Sequence, residues 1–346
     1  MKKLIKQFLK LLTRLVPLPL YRVLVKRNPI GFFYHAVSDV PMPHVEHLYR
    51  PLPTARFESA LLYLNARYNF VSYPELHAHI YEGAPLPPKA VHLSFDDGFV
   101  ECYRVVRPLL KKYAIPCTFF VATDWIDNQQ LFYRNKVSLC IEAAARLEPA
   151  AAMAALTRLN AELELALEDR AAFERWILAL VQADEPQIDQ VCEVLGVDTA
   201  AFLANHQPFL TQEHIREMAA EGFTIGSHTR SHPKLVQVSP EEMEAEIVES
   251  SRIIQTITGQ EIVPFSFPNS ATGLDRDLLA EMRARHDFLG LFFDTKDLRQ
   301  DADFMLNRIW GERRGFVGKG AQTNIPALLR LAYQEEAYEC LMSLLR

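Results

Sequence analysis

The chain has no pair of cysteines at metal-binding or redox spacing. Its five, Cys102, Cys117, Cys140, Cys192 and Cys340, are scattered and odd in number. Neither a disulfide framework nor a zinc knuckle is suggested, and a reducing, cytoplasmic compartment is the expectation. There is no excess of positive charge either: 37 basic against 43 acidic side chains leave a net charge of −6, which argues against general nucleic-acid binding. The first 27 residues contain no acid at all, and no acid precedes Asp39. They also lack an apolar run long enough to span a bilayer, and a signal-peptide core with a small-residue cleavage site. What remains is an ordinary globular composition, 49% hydrophobic and 23% charged, with ample apolar material for a large core. One domain spanning residues 28–346 with an elaboration is expected, rather than three separate domains.

The acid-free start is patterned. Lys2, Lys3, Lys6, Lys10, Arg14, Arg22, Lys26 and Arg27 alternate with Leu4, Ile5, Phe8, Leu9, Leu11, Leu12, Leu15 and Val16 at helical period. Residues 1–27 therefore read as a basic amphipathic helix. It either lies on an anionic membrane surface, at the inner face of a membrane, or packs back on the domain with its lysines in water.

The rest of the chain is organised around Val91-His92-Leu93-Ser94-Phe95-Asp96-Asp97-Gly98. An apolar, β-prone run that stops at two carboxylates and a glycine reads as a buried strand delivering acids to an edge. Successive strand residues point to opposite faces, so both acids serve one site only if the chain turns there, which Gly98 permits. Two readings are open: a helix-capping turn in water, or a carboxylate pair relieved by a cation. Far downstream, Gly226-Ser227-His228-Thr229-Arg230-Ser231-His232-Pro233 follows a second short apolar run, Phe223 to Ile225. His228 and His232, spaced i, i+4, are either a surface pair or two imidazoles aimed at one metal. With the strand-end acids they make up a His, His, carboxylate set with open positions for water.

These segments resemble the polysaccharide deacetylases, the NodB-homology or family-four carbohydrate esterases. Ser94-Phe95-Asp96-Asp97-Gly98 is similar to the family's T/S-F-D-D-G, and His228-Thr229-Arg230-Ser231-His232 to its H-S/T-x-x-H, in the family's order. Tyr113 to Val121 and Gly222 to Gly226 resemble the flanking strands. The likeness covers about residues 29–130 and 210–310. It implies a distorted (β/α) barrel of the NodB type, in agreement with the alternation of strand and helix signals.

Along the chain, Pro29 to His35 reads as a strand ending in histidine, Arg56 to Tyr68 as a helix, Phe70 to Ser72 as a short strand, and Phe99 to Lys112 as a helix. Residues 130–208, rich in alanine, leucine and glutamate, read as a helical insertion, either a lid or partner surface or a structural filler. Thr211 suits a helix start, and Pro240 to Thr258 reads as a long helix stopped by Gly259. Ile262 to Phe267 is a further strand, closed by Pro268-Asn269-Ser270. The family's third motif, F-R-P-P-Y-G, falls here, with Ser266 at the arginine position and Asn269 at the tyrosine position. The backbone donor of that motif survives the change, whereas the arginine that orients the catalytic aspartate is lost from it. The family's last motif, L-x-H, falls on Phe304 to Trp310, which has leucine but no histidine. His35 is either a structural histidine or, as in rearranged deacetylases of poly-N-acetylglucosamine, the replacement acid; Arg308 or a water is the alternative.

His35, Asp96, Asp97, His228, His232 and Asn269 all follow strand runs near their C-terminal ends, where sites sit on such barrels. The resemblance implies one divalent metal held by Asp97, His228 and His232, zinc first, with cobalt or nickel accepted by the same donors. It further implies Asp96 as base, the Asn269 N–H at the oxyanion and His35 as acid. The implied reaction removes an N-acetyl or other small acyl group from an amino sugar of a polysaccharide or glycan precursor. Alternatives are deformylation or deacetylation of a lipid-linked sugar, and a non-catalytic carbohydrate-binding member of the family.

Overall fold

Strands buried on both faces read as continuous apolar runs, and β1 (Ile30–Tyr34), β3 (Ala90–Phe95), β4 (Thr118–Val121) and β7 (Leu289–Asp294) are buried at every position. With β5 (Thr224–Ser227), β6 (Val263–Ser266) and β8 (Met305–Trp310) they form one all-parallel sheet. The sheet closes on itself, because β1 pairs with β8 on one edge and with β3 on the other. The result is a seven-stranded barrel of the expected class. Its distortion is visible at β3, whose far edge is shared: two-residue β2 (Asn69–Phe70) pairs at Ala90 and Val91, and β4 at Ser94 and Phe95. A register shift separates Val263 from Phe265, at Pro264, which has no N–H to give a ladder.

The computed structural model describes residues 17–313, 315 and 322–344. Most of the expected basic N-terminal helix lies outside the described residues. Where it can be described, the expected continuous helix is corrected: Pro17 is extended and opens a separate short helix, α1 (Leu18–Leu24), which ends before Lys26 and Arg27, buries Tyr21 and exposes Leu20 and Val23. Among the described residues no helix is long and apolar enough to cross a membrane. After β1 come α2 (Thr54–Asn65) and α3 (Tyr73–Glu82), the latter opened by a Ser72–Glu75 capping box. The helix expected from Phe99 begins later: Cys102–Val106 is a π-helical turn leading into α4 (Arg107–Lys112). There the Arg107 N–H reaches back to the Cys102 carbonyl, and Pro108 follows with no N–H of its own.

Six α-helices stand between β4 and β5, and the first five fall within the expected insertion: α5 (Tyr133–Arg146), α6 (Pro149–Glu162), α7 (Arg170–Ala179), α8 (Glu185–Leu195) and α9 (Thr199–His206). The first four share a core of their own, including Val137, Ile141, Leu159, Phe173 and Ile188, while Phe202 of α9 packs with Met42, Phe99 and Ala122 instead. Cys140 and Cys192, far apart in sequence, meet in that core as free thiols with their sulfurs 3.4 Å apart. The chain returns to the barrel through α10 (Gln212–Ala220), α11 (Pro240–Thr258, stopped by left-handed Gly259), α12 (Arg276–Arg285) and α13 (Ile325–Leu344). Between strands and helices an aromatic cluster of Tyr34, Phe57, Phe95, Phe119 and Phe223 packs with ring centroids 5.4–5.7 Å apart.

The closing seam carries a buried ion pair. Arg308, on β8 and fully buried, reaches past β1 to Asp96 at the end of β3, donating from Nη1 to Oδ1 at 2.7 Å and from Nη2 to Oδ2 at 2.8 Å. Ser94 and Ser266 hydroxyls accept from the same two nitrogens at 2.8 and 2.7 Å. Gly31, the register partner of Arg308 on β1, makes the crossing possible, since a Cβ there would stand 2.7 Å from Arg308 Cγ. A lone carboxylate in this apolar layer would carry its full desolvation cost. Arg308→Gln is therefore expected to lower stability by about 3–5 kcal/mol. A fall in the urea midpoint measures this, and an unchanged midpoint would show that the pair does not hold the seam.

Candidate active site

The polar residues of the site follow strand ends because the turns there are unusual. Past β3 the chain is left-handed at Asp97 and Gly98, both with φ 74°. Only glycine suits the second position, where a Cβ would come within 2.9 Å of Val121 Cγ1. This turn breaks the two-faced alternation of the strand, and Asp96 and Asp97 line one cavity of about 650 Å³. After β5, Thr229 and His232 are left-handed at φ 66° and 64°, and after β6 so is Asn269 at φ 61°. Non-glycine residues seldom hold such angles unless their surroundings enforce them. Here the enforcement is visible: the His232 N–H donates to Thr229 Oγ1 at 3.0 Å, and Glu246 on α11 accepts from the N–H groups of Arg230 and Ser231 at 2.7 and 3.1 Å.

The loops bring Asp97, His228 and His232 together. Asp97 Oδ1 lies 3.4 Å from Nε2 of each histidine, and one donor atom from each residue falls within 4.8 Å of the other two. The His228 Nδ1–H donates to the Ser266 carbonyl at 2.8 Å, which leaves the Nε2 lone pair facing Asp97. Asp97 Oδ1 and His232 Nδ1 make no hydrogen bond to any described residue. Burial pushes the Asp97 carboxyl up, but His35, His228 and His232 hold it well below the usual carboxylate range. Burial lowers the His232 imidazole, against the pull of Asp97, and so favours the neutral form that binds metals. Converging lone pairs around an anionic oxygen, two nitrogens and one oxygen in all, suit a divalent cation of the zinc type.

Asp96 sits beside this set. Burial would raise its pKa, yet Arg308 and then His228 outweigh that and lower it, so Asp96 is an anion at neutral pH. The expectation that orientation of this carboxylate is lost with the motif arginine is corrected here. Arg308 supplies the fork from β8 while Ser266, at the arginine's place, donates its hydroxyl to Asp96 Oδ2 at 3.3 Å. Engaged in that way, Arg308 is not the replacement acid.

His35 lies across the cavity at the end of β1. Its Nδ1–H and its backbone N–H both go to Glu312 Oε1, the latter at 2.9 Å, and the Glu312 side chain is fully buried. Burial works to lower the His35 pKa, but Asp97 and Glu312 overcome it and raise the value to about 9. Phe33, Tyr49 and Trp310 rings surround the imidazole with centroids 5.1–5.9 Å away. Asn269 lines the same cavity and accepts from the Thr295 hydroxyl at its carbonyl, 2.9 Å. All six residues singled out in the sequence thus border one cavity. Sequence reasoning missed Glu312, Trp310 and Tyr49, and the pairing of Arg308 with Asp96. A charged residue inside the apolar run Met305 to Trp310 was a legible signal that a buried counter-charge had to exist.

Comparison with known proteins agrees with this geometry. A family model described as polysaccharide deacetylase matches residues 83–159 and 179–285. The poly-β-1,6-N-acetyl-D-glucosamine N-deacetylase of Escherichia coli is 36% identical over 61 residues, 18% of this chain and 9% of that protein. YxkH of Bacillus subtilis is 32% identical over 63 residues, again 18% of this chain, and the matched stretch spans 23% of its length. Among solved structures, IcaB from Ammonifex degensii superposes with a TM-score of 0.53 at 16% identity, covering 89% of this chain and 97% of that one. Streptococcus pyogenes deacetylase PplD in complex with acetate gives 0.51 at 18% identity, covering 81% and 91%. At such identities these two structures speak for the fold. With the family model matching more than half of the residues, among them both aspartates and both histidines, the chain belongs to the polysaccharide deacetylase family.

Proposed function

We propose that this protein is a metal-dependent amide hydrolase that removes the N-acetyl or another small acyl group from an amino sugar in a polysaccharide or glycan precursor. The observation that carries the reading is the convergence of Asp97, His228 and His232 in one cavity with an ionised Asp96 and a Glu312-held His35. The aromatic walls, Phe33, Tyr49, Phe132 and Trp310, suit the apolar faces of sugar rings. The Escherichia coli relative, named for a polymer of N-acetylglucosamine, supports the same substrate class.

A divalent cation bound by Asp97, His228 and His232 would supply Lewis acidity, activating a water and polarising the acyl oxygen. Asp96 would accept a proton from the attacking water, its carboxylate kept ionised and fixed in plane by Arg308. The Asn269 backbone N–H donates to the oxygen that gains charge, a contact of the kind worth about 3 kcal/mol. An amine leaves poorly without a proton. Glu312 holds the proton on His35 Nδ1, and the raised pKa keeps a second one on Nε2 for the departing nitrogen.

Elemental analysis of the wild type should find about one divalent metal per chain, as this donor set predicts. His228→Ala is expected to lose that metal together with acetate release from acetylated glucosamine oligomers. A wild type that takes up no metal even after incubation with zinc would sink the reading, and metal without acetate release would move it to formylated or lipid-linked sugars.

The His35 role predicts a pH dependence of definite sign. A general acid works below its pKa, so activity should fall as pH rises through that value. Asp97's contribution is reduced when a cation neutralises it, but Glu312's is not. Glu312→Gln should move the basic limb of kcat/KM to lower pH, and a limb that stays in place or moves up would remove His35 as the acid.

A further inference from the structure

One wall of the cavity is built by a segment that neither the metal set nor the acid and base account for. After β1 the chain leaves the barrel, returns at a bridge between Val37 and Leu52, and coils in between over Met42 to Tyr49. Met42 and Val45 of this coil pack on Ala36, Phe99 and Ala122 at the barrel's strand ends, and its side-chain hydrogen bonds go to α5, the first α-helix between β4 and β5. Ser138 Oγ donates to the Pro43 carbonyl at 2.6 Å, Asn135 Nδ2 to the His44 carbonyl at 2.8 Å, and the His47 N–H to Ser138 Oγ at 3.3 Å. His47 Nε2 also pairs with Glu142 at 3.0 Å. Residues 135, 138 and 142 recur along one face of that helix, so one helical surface supplies the coil's polar anchors.

At the end of the coil is Tyr49. Its ring lies 5.1 Å from the His35 imidazole, centroid to centroid, and it borders the cavity together with Asp97, Asn269 and Trp310. Its hydroxyl is buried yet donates to no described residue. A buried phenol O–H is a strong donor, and leaving it without an acceptor is unfavourable unless an acceptor arrives with a ligand. The side on which it stands decides which acceptor. In the proposed reaction the acyl oxygen turns toward Asn269 and the metal set, while His35 faces the nitrogen, which is bonded to the sugar. A ring packed beside His35 is therefore next to the sugar rather than the acyl group.

We propose that Tyr49 is a substrate-contacting, specificity-determining residue. Its hydroxyl donates a hydrogen bond to a hydroxyl oxygen of the sugar unit whose amide is cleaved, and α5 positions it there through Asn135, Ser138 and Glu142. The proposal rests on the deacetylase reading above. It also gives the first of the six α-helices between β4 and β5 a task in the site, as the brace of a sugar-reading wall.

The test compares two substrates: acetylated glucosamine oligomers and a small aryl acetate such as 4-nitrophenyl acetate, whose leaving group carries no sugar. Tyr49→Phe keeps the ring and removes only the donor. It is expected to lower kcat/KM on the oligomers about tenfold or more, as loss of a substrate hydroxyl's partner does. Hydrolysis of the aryl acetate, and the pH at which oligomer activity falls on the basic side, should not change, which separates contact with the sugar from an effect through His35. Ser138→Ala, which loosens the coil without entering the cavity, should give a smaller loss of the same selectivity. Unchanged oligomer kinetics in Tyr49→Phe, or equal losses on both substrates, would overturn the proposal while leaving the deacetylase reading intact. A wild type that cleaves the aryl acetate but frees neither acetate nor formate from any glycan or lipid-linked sugar would instead overturn that reading, and this one with it.

Discussion

The bond between Arg308 and Asp96 is the constraint on which the barrel and its site both depend. It spans the seam at which the first and last strands of the barrel meet, where Arg308 is fully buried and Asp96 shows only 2% of its surface. Three features become intelligible from it. Gly31 has no side chain because the arginine lies across it. Ser94 and Ser266 are small and hydroxylic because the guanidinium has more donors than one carboxylate can accept. Phe33 and Phe120 place their faces 4.6 and 5.2 Å from the guanidinium carbon, packing its flat sides with rings rather than water. A buried pair of this kind is weak evidence for stability as such. Its consequence is directional, since an in-plane fork lets the carboxylate take one orientation.

Above that pair the site is made of turns the backbone does not adopt by preference. Asp97, Thr229, His232 and Asn269 all hold positive φ. Each such residue costs of order 1–3 kcal/mol, so they persist only where the surroundings over-determine them. The surroundings here are the parallel strands below and α11 beside them, whose Glu246 ties down the loop between the two histidines. Strain is thus concentrated at the residues whose side chains converge, and relief comes from elements that take no part in the chemistry. This division also explains why the strands end where they do: a carboxylate at Asp97 can join its neighbour Asp96 in one cavity only if strand geometry stops between them.

Much of this was legible in the sequence. The acids at a strand end, the histidines one turn apart, the long helix stopped by Gly259 and the helical stretch after Val121 are local patterns, and local patterns are what periodicity and capping report. Parts of the site made by long-range pairing were not legible. Arg308 and Asp96 are 212 residues apart, His35 and Glu312 are 277 apart, and nothing in either neighbourhood names the other. Tyr49 stands between the strand ending at His35 and the helix expected from Arg56, with no local signal to mark it, because the helix that holds its coil begins only at Tyr133. The late start of the helix after Asp97 was missed for a different reason: a π-turn shares the apolar spacing of an α-helix closely enough that a short segment does not separate them.

The two apparent losses in the motifs are one physical rearrangement. In the family pattern the third motif has an arginine where this chain has Ser266, and the last motif has a histidine two residues after its leucine, where this chain has Arg308 after Leu306. β6 and β8 are not neighbours in the barrel, yet Ser266 and Arg308 side chains meet at 2.7 Å, so both positions look into the same layer around Asp96. An arginine can enter that layer from either strand, but there is room for one: with Arg308 present, a small residue at 266 is required. Filling the histidine's place with the arginine leaves the acid without a strand of its own in β8. His35 is positioned to take the role because β1 pairs with β8, and Glu312, two residues beyond that strand, meets it across the shared edge. Each departure thus makes the next one necessary, and the chain keeps an oriented carboxylate, the converging donors of Asp97, His228 and His232, and the Glu312-held His35 around one cavity.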